Sequence, residues 1–95
     1  MTKPTDPKPS ARVEGQRLPG KTQRATLPVA SYGLDEQGLW EVCTPNGRRG
    51  RIDDQTDIVE HDDGTISTKP FAFEPMSGRA GWRGSLDHGV FVEAV

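Results

Sequence analysis

The chain is 95 residues long, with a formal net charge of −2 and hydrophobic residues at 32%. Globular chains carry roughly 45–50% apolar residues with glycine counted, so this is one small, apolar-poor domain rather than a large core, and its near-balanced charge excludes a uniformly basic nucleic-acid binder. No run approaches the ~18 apolar residues of a membrane span, no apolar secretory signal opens the sequence, and the single Cys43 excludes an internal disulfide, so a reducing, cytoplasmic setting is expected.

Residues 1–27 differ from the rest. They hold Pro4, Pro7, Pro9 and Pro19, no aromatic residue, and six basic residues (Lys3, Lys8, Arg12, Arg17, Lys21, Arg24) against Asp6 and Glu14. Residues 28–95 carry six basic and twelve acidic side chains and all six aromatics. A segment so poor in apolar groups cannot offset its ordering entropy alone. Residues 1–27 therefore read as a flexible, cationic, Pro-rich arm and 28–95 as a compact acidic β domain. The arm is expected to be disordered or ordered by a partner. It has two functional uses: folding back on the acidic body, or docking on an acidic partner surface or a nucleic-acid backbone.

Glycine and proline interrupt the body too often for a helix of ~10 residues, and short β-type runs alternate with turn signals. A first strand is predicted over 28–34, with a polar loop at Asp35-Glu36-Gln37-Gly38 and a second strand over 39–44. Pro45-Asn46-Gly47 is a turn, because proline presets φ and Asn-Gly tolerates φ above zero. Arg48 to Ile52 returns from it, and a further run covers 56–61. Asp62-Asp63-Gly64 is the strongest hairpin turn, leading into 65–69. Phe71-Ala72-Phe73-Glu74 lies between Pro70 and Pro75, which confines it to an edge strand or a short strand between bulges. Residues 82–86 lead through Asp87-His88-Gly89 into 90–95. The expectation is a mostly-β fold, a small sandwich or open barrel of about six to seven short antiparallel strands. Its core would take Val29, Tyr32, Trp40, Val42, Ile52, Val59, Ile66, Trp82, Leu86 and Phe91, among other apolar positions.

Each chemical motif has a plain structural counterpart. Glu60-His61-Asp62-Asp63 lacks the spacing of a Ca²⁺ loop, and Cys43, His61 and His88 are too few for a zinc site by sequence alone, so no metal or cofactor is expected. The six acids Asp53, Asp54, Asp57, Glu60, Asp62 and Asp63 form a stripe without a base. Such a stripe can dock a basic partner or mimic phosphates, or simply solvate a strand edge. Arg48, Arg49 and Arg51 are expected to pair with that stripe. Cys43 reads as a small buried hydrophobe, since only His61 or His88 could act as its base. Trp82 is assigned either to a surface aromatic–arginine contact with Arg83 or Arg79, or to closing one end of the core.

The stretch from His61 through Asp62-Asp63-Gly64-Thr65-Ile66-Ser67-Thr68-Lys69 to Pro70, followed by Gly81-Trp82-Arg83-Gly84-Ser85-Leu86-Asp87-His88-Gly89-Val90-Phe91, resembles a family of small uncharacterised β domains common in bacteriophages and prophages. Trp40 with Pro45-Asn46-Gly47 is similar to that family's first element, so the resemblance spans about residues 39–92. The chain departs from it at Arg83, where histidine is usual, and at Phe71, where serine follows the proline. Family members with Cys-rich segments look metal-binding, and those cysteines are lacking here. The resemblance implies a phage context rather than an activity.

These readings converge on a non-enzymatic phage-type protein-interaction module. Its partner would be a host or defence protein, or phage structural proteins in a virion, with self-association as a further option. The partner-binding candidates are the arm bases Lys3, Lys8, Arg12, Arg17, Lys21 and Arg24, the acidic stripe, and Trp82 with Arg83. The host-cell cytoplasm or the virion is the expected location, and no membrane partner is expected. The alternative is a nucleic-acid-associated protein using the basic arm. A small hydrolase or metal enzyme using His61, His88 and acids is a third class.

Overall fold

The computed structural model describes residues 12–94. Ten strands occur among them: β1 (Arg12–Glu14), β2 (Gln16–Lys21), β3 (Ser31–Leu34), β4 (Trp40–Cys43), β5 (Arg49–Arg51), β6 (Val59–Glu60), β7 (Ile66–Ser67), β8 (Phe71–Phe73), β9 (Trp82–Asp87) and β10 (Val90–Glu93). A 3-10 turn at Arg24–Thr26 is the sole helical element described. The fold is mostly β, as expected.

The first sheet has the order β1-β10-β9-β8, the second β2-β3-β4-β5, and β6-β7 form a separate two-stranded hairpin. All pairings are antiparallel except β2 with β3, which is parallel and carries a bulge between Arg17 and Lys21. The inner faces of the two sheets share one core of Tyr32, Trp40, Val42, Ile52, Ile66, Trp82, Leu86 and Phe91. Inward residues alternate along each strand, as in Trp82-Gly84-Leu86, with the period of two of a half-buried sheet.

The sheets meet at two corners, which makes an open barrel. At one, the chain passes from β1 to β2 through Gly15. The Gly15 amide donates to the Gly89 carbonyl, and the next amide, Gln16, donates to Ala30. A Cβ on Gly15 would lie 2.7 Å from the Gly89 oxygen and 2.9 Å from the Phe91 ring, so only glycine lets one strand serve both sheets here. At the other corner, side chains replace a ladder. The Phe73 ring occupies the space where a Gly50 Cβ would stand, and Arg48 reaches across to the carbonyls of Glu74 and Ala80, both at 2.9 Å.

The boundary expected after residue 27 is not where folded structure starts. Residues 12–21 supply one strand to each sheet, and Leu27 is fully buried. The apolar count misses this, because the segment gains backbone pairing and the long stem of Arg17 besides the burial of Val13 and Leu27. Residues 22–30 then cross the outer face of the second sheet. Thr22 packs on Gly33, and the Leu27 carbonyl accepts from Arg49 Nε at 3.0 Å. Two expected core residues are also on the outside, Val29 at 57% exposure and Val59 at 53%. Val29 lies in the covering segment rather than in a strand, and Val59 in the peripheral hairpin. The turns were well marked in sequence. Gly38, Gly47, Gly64 and Gly89 all adopt positive φ at the expected loop ends, and β8 is the edge strand its two prolines require.

Candidate functional site

The structure places three of the expected arm bases in intramolecular contacts. Arg12 lies 3.9 Å from Asp87. The Arg17 guanidinium stacks 4.8 Å above the Trp40 ring, and its Nη1 donates to Glu60 Oε2 at 3.0 Å and to the Gly64 carbonyl at 2.6 Å. Arg17 thereby clamps the β6–β7 hairpin to the second sheet. Its Nε is buried without a partner among the described residues. Arg24 Nε donates to Glu41 Oε1 at 2.9 Å. Lys21 is exposed, and Lys3 and Lys8 lie outside the described residues.

Glu41 is a buried charge at 2% exposure. Its carboxylate lies between Arg24 and Arg51, whose Nε is 3.2 Å from Oε2, and Arg51 Nη2 continues to Asp35 Oδ2 at 3.1 Å. Pairing of this kind is what allows a carboxylate to sit on a covered face. The Asp35 carboxyl is held down at about 2, chiefly by the Leu39 amide, with Glu41, the Gln37 amide and Arg51 adding to it against the cost of desolvation. The Glu41 bond raises the pKa of Arg24 in turn.

Arg48, Arg49 and Arg51 do not pair with the acidic stripe. They bind the carbonyls of Glu74 and Ala80, the carbonyl of Leu27, and the Glu41–Asp35 pair respectively. The turn at 45–47 aims β5 away from the stripe, toward residues close in space but far in sequence. Four of the six stripe acids make contacts within the chain. Glu60 binds Arg17, Asp57 binds Lys69 at 2.6 Å, and Asp54 and Asp63 are spent on local turns with Thr56 and Thr65. The threonine hydroxyls and amides hold those last two carboxyls below the usual range. Asp53 and Asp62 are exposed.

Trp82 is not a surface aromatic. It is 4% exposed and packs edge-on against Phe91 at 5.8 Å and tilted against Phe71 at 5.5 Å. Its parity on β9 points it inward and turns Arg83 outward. Arg83 is exposed between two shallow grooves on the outer side of the first sheet. Ala72, its cross-strand partner, shares both grooves. One is closed by Phe73, Pro75 and Glu93, the other by Pro70, Phe71 and Ala94. The Arg83 carbonyl accepts from the Ala94 amide. Antiparallel alternation therefore turns the N–H and C=O of Ala72 away from β9, onto the open edge. Arg48 occupies the neighbouring Glu74 carbonyl, which shortens that edge.

The structure brings together the two histidines that the sequence offered only as members of a candidate enzyme set. His61 and His88 stack with centroids 4.0 Å apart and planes 10° from parallel. Ser67 sits between their backbones: its Oγ lies 2.8 Å from His61 Nε2 and accepts the His88 amide at 2.9 Å. His88 Nδ1 lies 2.9 Å from Asp87 Oδ1, and this contact holds the Asp87 carboxyl below its usual range. The two histidines are 27 positions apart in turns of different hairpins, a separation no local pattern links. Cys43 belongs to neither. It is buried on the outer face of the second sheet, where desolvation pushes its thiol up.

Among the described residues, no three His, Cys, Asp or Glu side chains are grouped as for a metal ion. No helix there is long and apolar enough to cross a membrane. No protein-family model matches the chain, and neither a curated protein nor a solved structure matches it.

Proposed function

We propose that the protein is a small non-enzymatic interaction module of the phage type its motifs resemble. It binds a protein partner, either a host or defence protein or a neighbouring virion component, through the outer face of the first sheet around Arg83. The observation that supports a protein partner over a nucleic acid is where the cations go. Arg12, Arg17, Arg24 and Arg51 face carboxylates of the same chain, and Arg48 and Arg49 face its carbonyls. Phosphate binding requires available cations that displace the nucleic acid's counterions, and these are already engaged within the chain. Arg83 is different. It is exposed beside small and apolar neighbours, Ala72, Ala94 and Phe71, a mixture suited to an interface anchor.

The test is a pull-down with the full chain and with Arg83→Glu, from host lysate with and without infection. Binding to the identified partner is then measured with purified components. A protein captured by the wild type and lost by Arg83→Glu supports the reading, and its origin separates host target from virion neighbour. Retention by both baits moves the contact off this face. Capture of nucleic acid, with log affinity falling several-fold faster than log salt rises, replaces the proposal with the nucleic-acid reading.

A further inference from the structure

We propose that the stacked His61–His88 pair is a pH-sensitive latch: it holds the β6–β7 hairpin against the β9–β10 turn while the rings are neutral, and loosens it as they are protonated. The hairpin belongs to neither four-stranded sheet. It reaches the β9–β10 hairpin through a short set of contacts: the ring stack, the His88 amide to Ser67 Oγ, the Gly89 amide to the Ile66 carbonyl, the Thr68 amide to the Leu86 carbonyl, and the Leu86 amide to Thr68 Oγ. The stack and the serine contact both depend on the histidines' protonation state.

Two arguments carry the direction. With His61 neutral at Nε2, the Ser67 hydroxyl donates to it and its lone pairs accept the His88 amide. A proton on Nε2 turns that nitrogen into a second donor toward Ser67, whose own proton then loses its acceptor. The second argument is repulsion. Imidazole is the side chain that charges between pH 5 and 8, and two imidazolium rings 4.0 Å apart are a close like-charge contact.

The charged groups around the pair are already engaged. Asp87 bonds His88 but shares its carboxylate with Arg12 on β1. Asp63 faces His61 from the hairpin tip and is already engaged by Thr65. Glu60 on β6 is taken by Arg17 from β2. Tyr32 on β3 brings only a neutral phenol beside Gly89, its ionisation pushed up by burial. Two charged rings in the docked stack repel, so docking weakens as pH falls.

Amide hydrogen exchange on the intact chain tests this at pH 7.5 and 5.0, after correction for intrinsic rates. Protection of Thr68 and Gly89 is expected to fall at least tenfold relative to Ile52, whose amide bonds Trp40 in the second sheet. His61→Gln and His88→Asn should each abolish that fall; asparagine suits the positive φ of 49° at position 88. Equal protection at both pH values, or a fall that persists in both variants, overturns the latch. Should neither variant fold, the wild-type imidazole proton resonances decide. Two well-separated titration steps support it, and two coincident, independent titrations overturn it.

Discussion

The two four-stranded sheets share a core but finish their outer faces in opposite ways. On the second sheet the chain covers its own outer face: residues 22–30 cross it, Leu27 is fully buried, and Glu41 sits there as a paired charge between two arginines. On the first sheet none of the described residues covers the corresponding face, which presents Arg83 between shallow grooves and the backbone of Ala72 at the sheet edge. A buried polar network needs partners on every side, so the covered face is specified by the chain itself. The open face has no such constraint, and that is where a partner has room.

Four changes would break or sharpen this contrast. The largest effect is expected from Leu27→Ala, which removes the side chain anchoring the cover. A loss of about 2–5 kcal/mol is expected in urea unfolding. Cys43, fully buried in the wild type, should be alkylated more than about tenfold faster at pH 7.5 as that cover opens. Persistently slow alkylation would place Cys43 under something other than this segment.

Glu41→Gln keeps the shape but leaves Arg24 and Arg51 facing a neutral amide. Since both arginines are partly solvated, a cost of about 1.5–3 kcal/mol is expected rather than the full penalty of a broken buried pair. A neutral result would mean that the network serves register rather than stability.

Acid should act on the same face. Asp35 titrates near 2 in the folded chain against an ordinary 3.8. A carboxyl depressed on folding adds stability above its unfolded value, and that stability is lost as pH falls from about 4 toward about 2. The melting temperature should therefore drop across this window. Asp35→Asn should flatten the drop without removing it, because Asp54, Asp63 and Asp87 are shifted the same way.

The smallest structural effect is expected on the open face. Arg83→Glu should change stability by no more than about 0.5 kcal/mol, as exposed substitutions do, while abolishing partner binding. A large loss of stability would make Arg83 part of the fold and remove it from the interface.

What could be read from the sequence divides along the same line. Local chemistry was legible: the Asn46-Gly47 and Asp63-Gly64 turns, the glycines at 38 and 89, and the proline-bounded edge strand all follow from backbone sterics within a few residues. Residues acting across the fold were not. Arg17 looks like a tail cation and is a clamp over Trp40, because only the fold brings the two together. Arg48 looked destined for nearby acids and instead caps carbonyls at 74 and 80. Trp82 is flanked by glycine and arginine, yet strand parity sends it into the core. Of the proposed site, Arg83 was visible from its motif, whereas its neighbours Ala72 and Ala94 carry no signal before the strands are paired.

Gly15 has a kinetic consequence. Strands β3 to β5 form by local hairpins, and so do β8 to β10, so each group can assemble without the other. Residues 12–21 alone supply a strand to both, and the β1 pairing brings Arg12 beside Val92. Closing so long a loop is the entropically expensive step of folding, and high contact order slows it. The last event should thus be the zipping of this one bent segment, reported by Arg17 arriving over Trp40. Stopped-flow tryptophan fluorescence should show that phase slowed in Gly15→Ala, where a methyl group meets Gly89 and Phe91. The molecule would then be a pair of half-assembled leaves that a single strap draws shut.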